Sequence, residues 1–226
     1  MRIYGREVKV PSGFSLERAR SVQRWLASKV IERDELPSEI KIVVGCDVAY
    51  RGDFAYAAAV ALDFKSLTVI RYAIKRVRVF FPYIPTLLSF REAGPVIRAI
   101  RALKLRPDVL FIDGQGRAHP YRLGIASHIG VVLDVPTIGV AKKKLCGIIG
   151  EFNGDCAPLL DKGEIIGVAL ITKRGCKPIF VSVGHKISLR TAAELVLRTC
   201  RGYKLPEPIR MAHILATREA RRHAKG

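Results

Sequence analysis

Two aspartates each follow a run of apolar residues, Asp47 after Ile42-Val43-Val44-Gly45-Cys46 and Asp113 after Val109-Leu110-Phe111-Ile112. The runs are short and rich in β-branched residues, so each carboxylate is expected at the end of a buried strand. Burying a carboxylate is costly unless it is paired or ligates a cation. Two of them converging from neighbouring strands would offer the hard oxygen ligands that suit Mg²⁺, with Mn²⁺ able to substitute. The other reading is that each merely caps a turn, since Gly114 follows Asp113 directly. Glu92, in Phe90-Arg91-Glu92-Ala93-Gly94-Pro95, lies near an expected helix start, where the helix dipole alone would explain an acidic residue. As a third carboxylate it would also complete the acidic set of a two-metal phosphodiesterase.

Around these acids lie residues that could hold a substrate. Gly114-Gln115-Gly116 invites a dinucleotide reading, but His119 stands where the third glycine would be, which rejects that fingerprint. Glycines here fit a backbone that approaches a ligand closely. His119 could contact phosphate or make a local hydrogen bond; the sequence leaves both open. Lys142-Lys143-Lys144 would ordinarily be a solvated run, yet Lys142 follows the strand-like Ile138-Gly139-Val140-Ala141 and can reach the rim that carries Asp47 and Asp113. In Pro82-Tyr83-Ile84-Pro85, two prolines stiffen a loop and would hold Tyr83 and Ile84 outward. A rigid apolar wedge of that kind can enter a base stack and ease extrusion of a nucleotide. The alternative is a proline-rich turn that packs Tyr83 on the core.

The elements that must position these groups follow from hydrophobic patterning. Ser15 to Val30 reads as a helix with Ser15 as its N-cap. Ile40 to Val48, Phe54 to Phe64 and Leu67 to Val79 are three β-rich runs with short gaps suited to hairpins. Phe90 to Leu105 is helical in pattern, with Pro95 in its first turns or kinking it. The strand ending at Asp113 is followed by a helix over Leu123 to Leu133 and a strand over Pro136 to Ala141. Glu164 to Thr172 and Pro178 to Val183 form a further strand pair, and Leu189 to Cys200 and Arg210 to Ala224 close the chain as helices. Antiparallel strands followed by strand–helix alternation predict an α/β fold, a mixed sheet with helices on its faces. The ribonuclease H-like architecture has this order, as do other mixed folds.

Composition bounds the partners. Thirty-nine Lys and Arg against 20 Asp and Glu give a net charge of +19 over 226 residues. Such an excess favours polyanions, because each phosphate contacted releases counterions. With 49% hydrophobic residues the chain has a real core, and nothing resembles a linker or repeat, so one domain over residues 1–226 is expected. The longest apolar run, Phe54 to Leu62, is too short to span a membrane, and no secretory signal is visible. The cysteines, Cys46, Cys146, Cys156, Cys176 and Cys200, form no Cys-x-x-Cys pair, which argues against zinc and for reduced thiols in the cytoplasm. Only Gln23, Gln115 and Asn153 carry side-chain amides, a composition found in proteins that work hot.

Taken in order, several segments resemble the endonuclease V family: Gly45 to Tyr50, Pro82 to Pro85, Leu88 to Glu92, Asp113 to Pro120, Gly124 to Gly130, Pro136 to Lys142, Val183 to His185 and Pro206 to His213. The resemblance implies a ribonuclease H-like fold and a Mg²⁺-dependent nuclease. Such an enzyme hydrolyses the second phosphodiester 3′ to deoxyinosine in DNA and leaves the lesion in place; inosine-containing RNA is a further candidate substrate. On that resemblance Asp47 and Asp113 are metal ligands and Glu92 completes the acidic site. Lys142 faces the scissile phosphate, and His213 sits beside a second ion or the attacking water. Tyr83, flanked by Pro82, Ile84 and Pro85, is the wedge, and Gly114 and Gly116 line the hypoxanthine pocket. The chain is expected to act as a monomer. Two departures stand out: Thr86 where glycine is expected in many members, and Gln115 where histidine is expected in some. Two other readings compete, a different ribonuclease H-like enzyme without inosine preference and a silent nucleic-acid-binding protein. The intact trio Asp47, Glu92 and Asp113 argues against the second.

Overall fold

In the computed structural model, residues 10–223 are described together with a two-stranded ribbon, β1 (Arg2–Ile3) and β2 (Arg6–Glu7). Helix α1 (Leu16–Ala27) starts where the sequence places it: the Ser15 hydroxyl accepts from the Arg18 amide at 3.2 Å, satisfying one unpaired donor of the first turn. Three long strands follow, β3 (Ile42–Arg51), β4 (Phe54–Asp63) and β5 (Val69–Arg78), paired antiparallel in succession. The first hairpin is tighter than expected. Only Gly52 and Asp53 separate its strands, and Gly52, at φ +53°, occupies the position that a type II′ turn gives to glycine. The extra strand length means that Asp47 lies mid-strand, opposite Ala58, rather than at a strand end. Val48, Ala49 and Tyr50 keep enough β propensity and cross-strand pairing to carry the strand past it.

The chain continues as α2 (Leu88–Ala102), β6 (Val109–Asp113), α3 (Ile125–Leu133) and β7 (Thr137–Ala141). Pro95 sits in the interior of α2, not its first turns, and is buried there against the sheet. Then come β8 (Ile148–Ile149), β9 (Cys156–Asp161), β10 (Glu164–Leu170), β11 (Ile179–His185), α4 (Leu189–Arg198) and α5 (Glu207–Arg222). Helix α5 begins a turn earlier than the pattern suggested, because Pro208 falls in its first turn, where a missing amide costs nothing. The expected helix end at Ala224 lies outside the described residues. Strands β8 and β9 had not been anticipated, Pro158 inside β9 arguing against a strand.

One nine-stranded sheet results, in the order β5-β4-β3-β6-β7-β11-β10-β9-β8. Strands β3, β6 and β7 run parallel at its centre, and antiparallel strands flank them on both sides. This is the mixed, helix-flanked α/β sheet expected from the sequence. Helices α2 and α3 cover one face through Ala93, Val96, Ile100 and Ile129 against Val44, Cys46 and Ile112. Helices α4 and α5 cover the other, where Ile209, Ala212 and Val196 meet Val43, Phe111 and Val181. No described helix is long and apolar enough to cross a membrane. All five cysteines are free thiols.

Candidate active site

Strand register brings the acids together. Cys46 pairs with Ile112 across the parallel β3–β6 ladder, so Asp47 and Asp113 are next to each other one residue further on. Side chains alternate along a strand, and odd-numbered Val43, Val109 and Phe111 pack toward α4 and α5, so both aspartates point to the α5 face. Helix α5 can come close because β3 has a glycine there. A Cβ on Gly45 would lie 1.9 Å from the Pro208 carbonyl oxygen. From that contact α5 carries His213 over Asp47, with Nδ1 2.6 Å from Oδ2. Lys142, just past β7, donates to Asp113 Oδ2 at 2.6 Å.

One ligand atom each from Asp47, Asp113 and His213 lies within 4.8 Å of the others. Two carboxylates and an imidazole form a donor set that fits a divalent cation, and the electrostatics say the same. Burial first, and then the Asp47 charge, push the Asp113 carboxyl above its usual range, against the opposing pull of Lys142. Paired acids that repel one another in a partly buried site gain from a cation between them.

Glu92 comes to the aspartates from a different element, close enough for both of their charges to act on it. It is 9% exposed and reaches the site from α2, on the opposite face of the sheet, and it falls outside the Asp47–Asp113–His213 group. Its Oε1 accepts from the Tyr50 hydroxyl at 3.0 Å. Burial raises its carboxyl to about 7, with Asp47 and Asp113 adding to the rise while the Tyr50 hydrogen bond and Arg91 oppose it. Nor is Glu92 an acid of the first helical turn, as the dipole explanation required. Tyr50 went unnoticed in the sequence; its alternation onto the α2 side of β3 was the available signal.

A cavity of about 390 Å³ adjoins the acids, within the usual range for small-molecule pockets. Tyr83, Thr86, Gly114, Gln115, His119 and Lys143 are among its walls. Chain continuity fixes the adjacency, since Gly114 follows Asp113 and Lys143 follows Lys142. Gly114 has φ +147°, a conformation that effectively requires glycine. Gly116 is not a wall. A Cβ there would meet the Val183 carbonyl oxygen at 2.1 Å, so that glycine allows the loop to pack on β11. Gln115 is anchored by Nε2 donating to the Lys143 carbonyl at 2.9 Å.

The proline loop splits in two. Tyr83 is 64% exposed, as a wedge requires, whereas Ile84 is completely buried, packing with Ala19 and Leu87. The expectation that both point outward is corrected: the prolines stiffen a loop whose aliphatic residue anchors it and whose aromatic residue projects. His119 is also inside, 4% exposed, with Nδ1 accepting from the Tyr121 amide at 3.1 Å. Burial, reinforced by Arg20, pushes its imidazole down to about 4. A neutral ring offers no charge to a phosphate, and the local hydrogen-bond reading is the one this geometry supports.

Comparison with known proteins bears on the same residues. The profile of the family described as Endonuclease V matches residues 24–214, a span that includes every acid above. The chain belongs to the endonuclease V family. It is 50% identical over 214 residues to an endonuclease V of Thermofilum pendens, covering 94% of this chain and 92% of that one. An endonuclease V of Roseiflexus sp. is 45% identical over 206 residues, 90% of this chain and 92% of the relative. Among solved structures, endonuclease V from Streptomyces avermitilis superposes with a TM-score of 0.85 at 40% identity, covering 98% of this chain and all of that one. The Ciona intestinalis enzyme, solved with a 24mer DNA containing an inosine followed by a ribo-adenosine, gives 0.83 at 30% identity, covering 92% and 98%. The family is one of metal-dependent nucleases, which fits the donor set just described.

Proposed function

We propose that this chain is a deoxyinosine-directed repair endonuclease that hydrolyses the second phosphodiester 3′ to the lesion, with Mg²⁺ as the working ion and Mn²⁺ as a substitute. The observation that carries the reading is the Asp47–Asp113–His213 cluster beside a cavity walled by Tyr83 and Gly114. A cation-binding centre next to a pocket is what an enzyme needs to hold an extruded base while it cuts a neighbouring phosphate. When bound, the ion supplies Lewis-acid stabilisation of the charge that builds on the phosphate.

The chain's own groups have distinct parts. Asp47 and Asp113 would hold the ion, and Glu92, buried close to both, would complete the acidic site. Asp47 fixes the His213 ring through Nδ1, leaving Nε2, on a side chain 48% exposed, to face the ion or the attacking water. Lys142 bridges Asp113 and the solvent-facing rim, where it meets the scissile phosphate. Tyr83 enters the stack at the lesion, with Pro82 and Pro85 stiffening its loop around the Ile84 anchor. The net charge of +19 provides the affinity for backbone that recognition is built on. Inosine in RNA presents the same base edge and is a second substrate of the same pocket. We place the enzyme in the cytoplasm as a monomer.

The test is nicking of matched duplex, single-stranded DNA and RNA, each with one inosine, in Mg²⁺ and in Mn²⁺, beside adenine controls. Cleavage at the second 3′ phosphodiester of the inosine strands alone is expected. Equal cutting of the adenine controls, or none in either metal, would overturn the reading.

A further inference from the structure

The loop carrying Tyr83 reverses at Ile84-Pro85-Thr86-Leu87, where the Leu87 amide donates to the Ile84 carbonyl at 2.9 Å. Proline at the second position and a φ of +69° at the third, Thr86, are the marks of a type II turn. That third position suits glycine, and a β-branched residue there is a backbone outlier that persists only when its surroundings hold it.

Helix α1 holds it. Gln23, with no exposed surface, donates Nε2 to the Thr86 carbonyl at 2.7 Å. Arg20, 8% exposed, donates Nη2 to the Thr86 hydroxyl at 2.6 Å and Nη1 to Gln23 Oε1 at 2.6 Å, so the two side chains act as one clamp. The same guanidinium lies 3.9 Å over the ring of Tyr121, whose amide binds His119 on another wall of the cavity. Arg20 therefore spans two walls, the Thr86 turn and the Asp113 loop. A glycine at position 86 would accept the turn without strain but would give Arg20 no oxygen to grip. Both clamp residues precede the stretch that matches the family, which begins at residue 24.

We propose that Arg20 and Gln23 are positioning residues. They lock the strained Thr86 turn from behind, fixing the direction of Tyr83 and the spacing of the cavity walls for recognition of inosine in paired DNA. The inference rests on the function proposed above. A locked turn keeps the aromatic side chain ready for insertion, so opening a stacked duplex does not also have to order the loop. On a single strand little stacking must be broken, and the lock matters less.

The experiment compares Arg20→Met, Gln23→Leu, Thr86→Gly and the double variant Arg20→Met/Thr86→Gly. Two readouts are followed: kcat and KM on inosine in matched duplex and in single strand, and the fluorescence of a 2-aminopurine beside the inosine on binding without divalent ion. Arg20→Met and Gln23→Leu should lower duplex kcat about tenfold, cost the single strand no more than about threefold, and lose the fluorescence rise that reports unstacking. In the Thr86→Gly background Arg20→Met should cost clearly less than it does alone, because the hydroxyl it grips is gone, the turn no longer needs holding, and only its contact over Tyr121 is left to lose. Equal losses on both substrates, an unchanged fluorescence rise, or an additive loss in the glycine background would overturn the lock. If Arg20→Met does not fold alone, the glycine background, free of the strained turn, supplies the comparison through Gln23→Leu. A wild-type protein that ignores inosine brings down the function and the lock together, whereas an active wild type with indifferent variants brings down only the lock.

Discussion

Glu92→Gln separates electrostatic stress from chemistry. The amide oxygen can still accept from the Tyr50 hydroxyl, so the 3.0 Å hydrogen bond survives while the charge beside Asp47 and Asp113 is lost. In the folded chain burial, together with those charges, raises this carboxyl from the usual 4.5 to about 7. At 1.36 kcal/mol per pH unit, that corresponds to about 3 kcal/mol. The unfolded chain releases its proton near the usual value while the folded chain keeps it until about 7. Stability is therefore fully present below the lower value, falls as pH rises through the window, and levels above the upper one. Metal-free Glu92→Gln lacks this loss. It should match wild type in the window's acid limit and exceed it by about 3 kcal/mol above pH 8, read by denaturant titration at each pH. Divalent ion should narrow the gap, because the cation offsets the charge that the variant lacks. Nicking should fall by about 10- to 100-fold, the usual cost of removing a group that supports metal ligands from outside their shell. Parallel stability curves for the two proteins would refute the charge argument. Near-wild-type turnover would remove Glu92 from the site.

Three further outcomes follow from the same geometry. Tyr83→Ala should cost matched-duplex inosine about tenfold or more, a single strand far less, since unstacking a base takes on the order of a few kcal/mol; equal losses in the nicking assay would return Tyr83 to general binding. The logarithm of the binding constant should fall linearly with that of salt concentration, with a slope of several units, and a slope near zero would mean that the +19 charge does not meet phosphates. His119, held down to about 4 by burial and by Arg20, stabilises the fold above its usual value near 6.5 and loses that contribution as pH falls toward 4, by about 3 kcal/mol; His119→Gln should show a shallower acid limb in denaturant titrations.

The centre of this fold was legible because its signals are local. The strand ending in Asp113, the Ser15 cap and the succession of β-rich runs each depend on a few neighbouring residues, and all three stand in the structure. What the sequence hid depends on partners far along the chain. The contact of Gly45 with Pro208 spans most of the protein, and it brings onto Asp47 a His213 that the family resemblance, not the hydrophobic pattern, had placed at the site. The Tyr50–Glu92 and Gln23–Thr86 hydrogen bonds are equally remote, and a hydrophobic pattern has no means of announcing them. Strand β9 was lost for a different reason. Pro158 breaks the usual strand pattern, yet it sits one strand from the sheet's edge, where β8 pairs with β9 only through Ile148 and Ile149.

Three departures from local structural rules lie around the candidate site. Asp47 continues a strand that its charge should have ended, and Thr86 adopts a backbone that favours glycine. Pro95 remains within a helix only a turn beyond Glu92. Each departure costs stability, and each is held by specific neighbours. Asp47 has His213, Thr86 has the Arg20–Gln23 clamp, and α2 is buried against the sheet at Pro95. A chain selected only for stability would relax such positions, for instance with an apolar residue at 47 and glycine at 86. Their occurrence together around one cation-binding cluster and one cavity is the pattern of a protein that gives up local consistency where chemistry requires it.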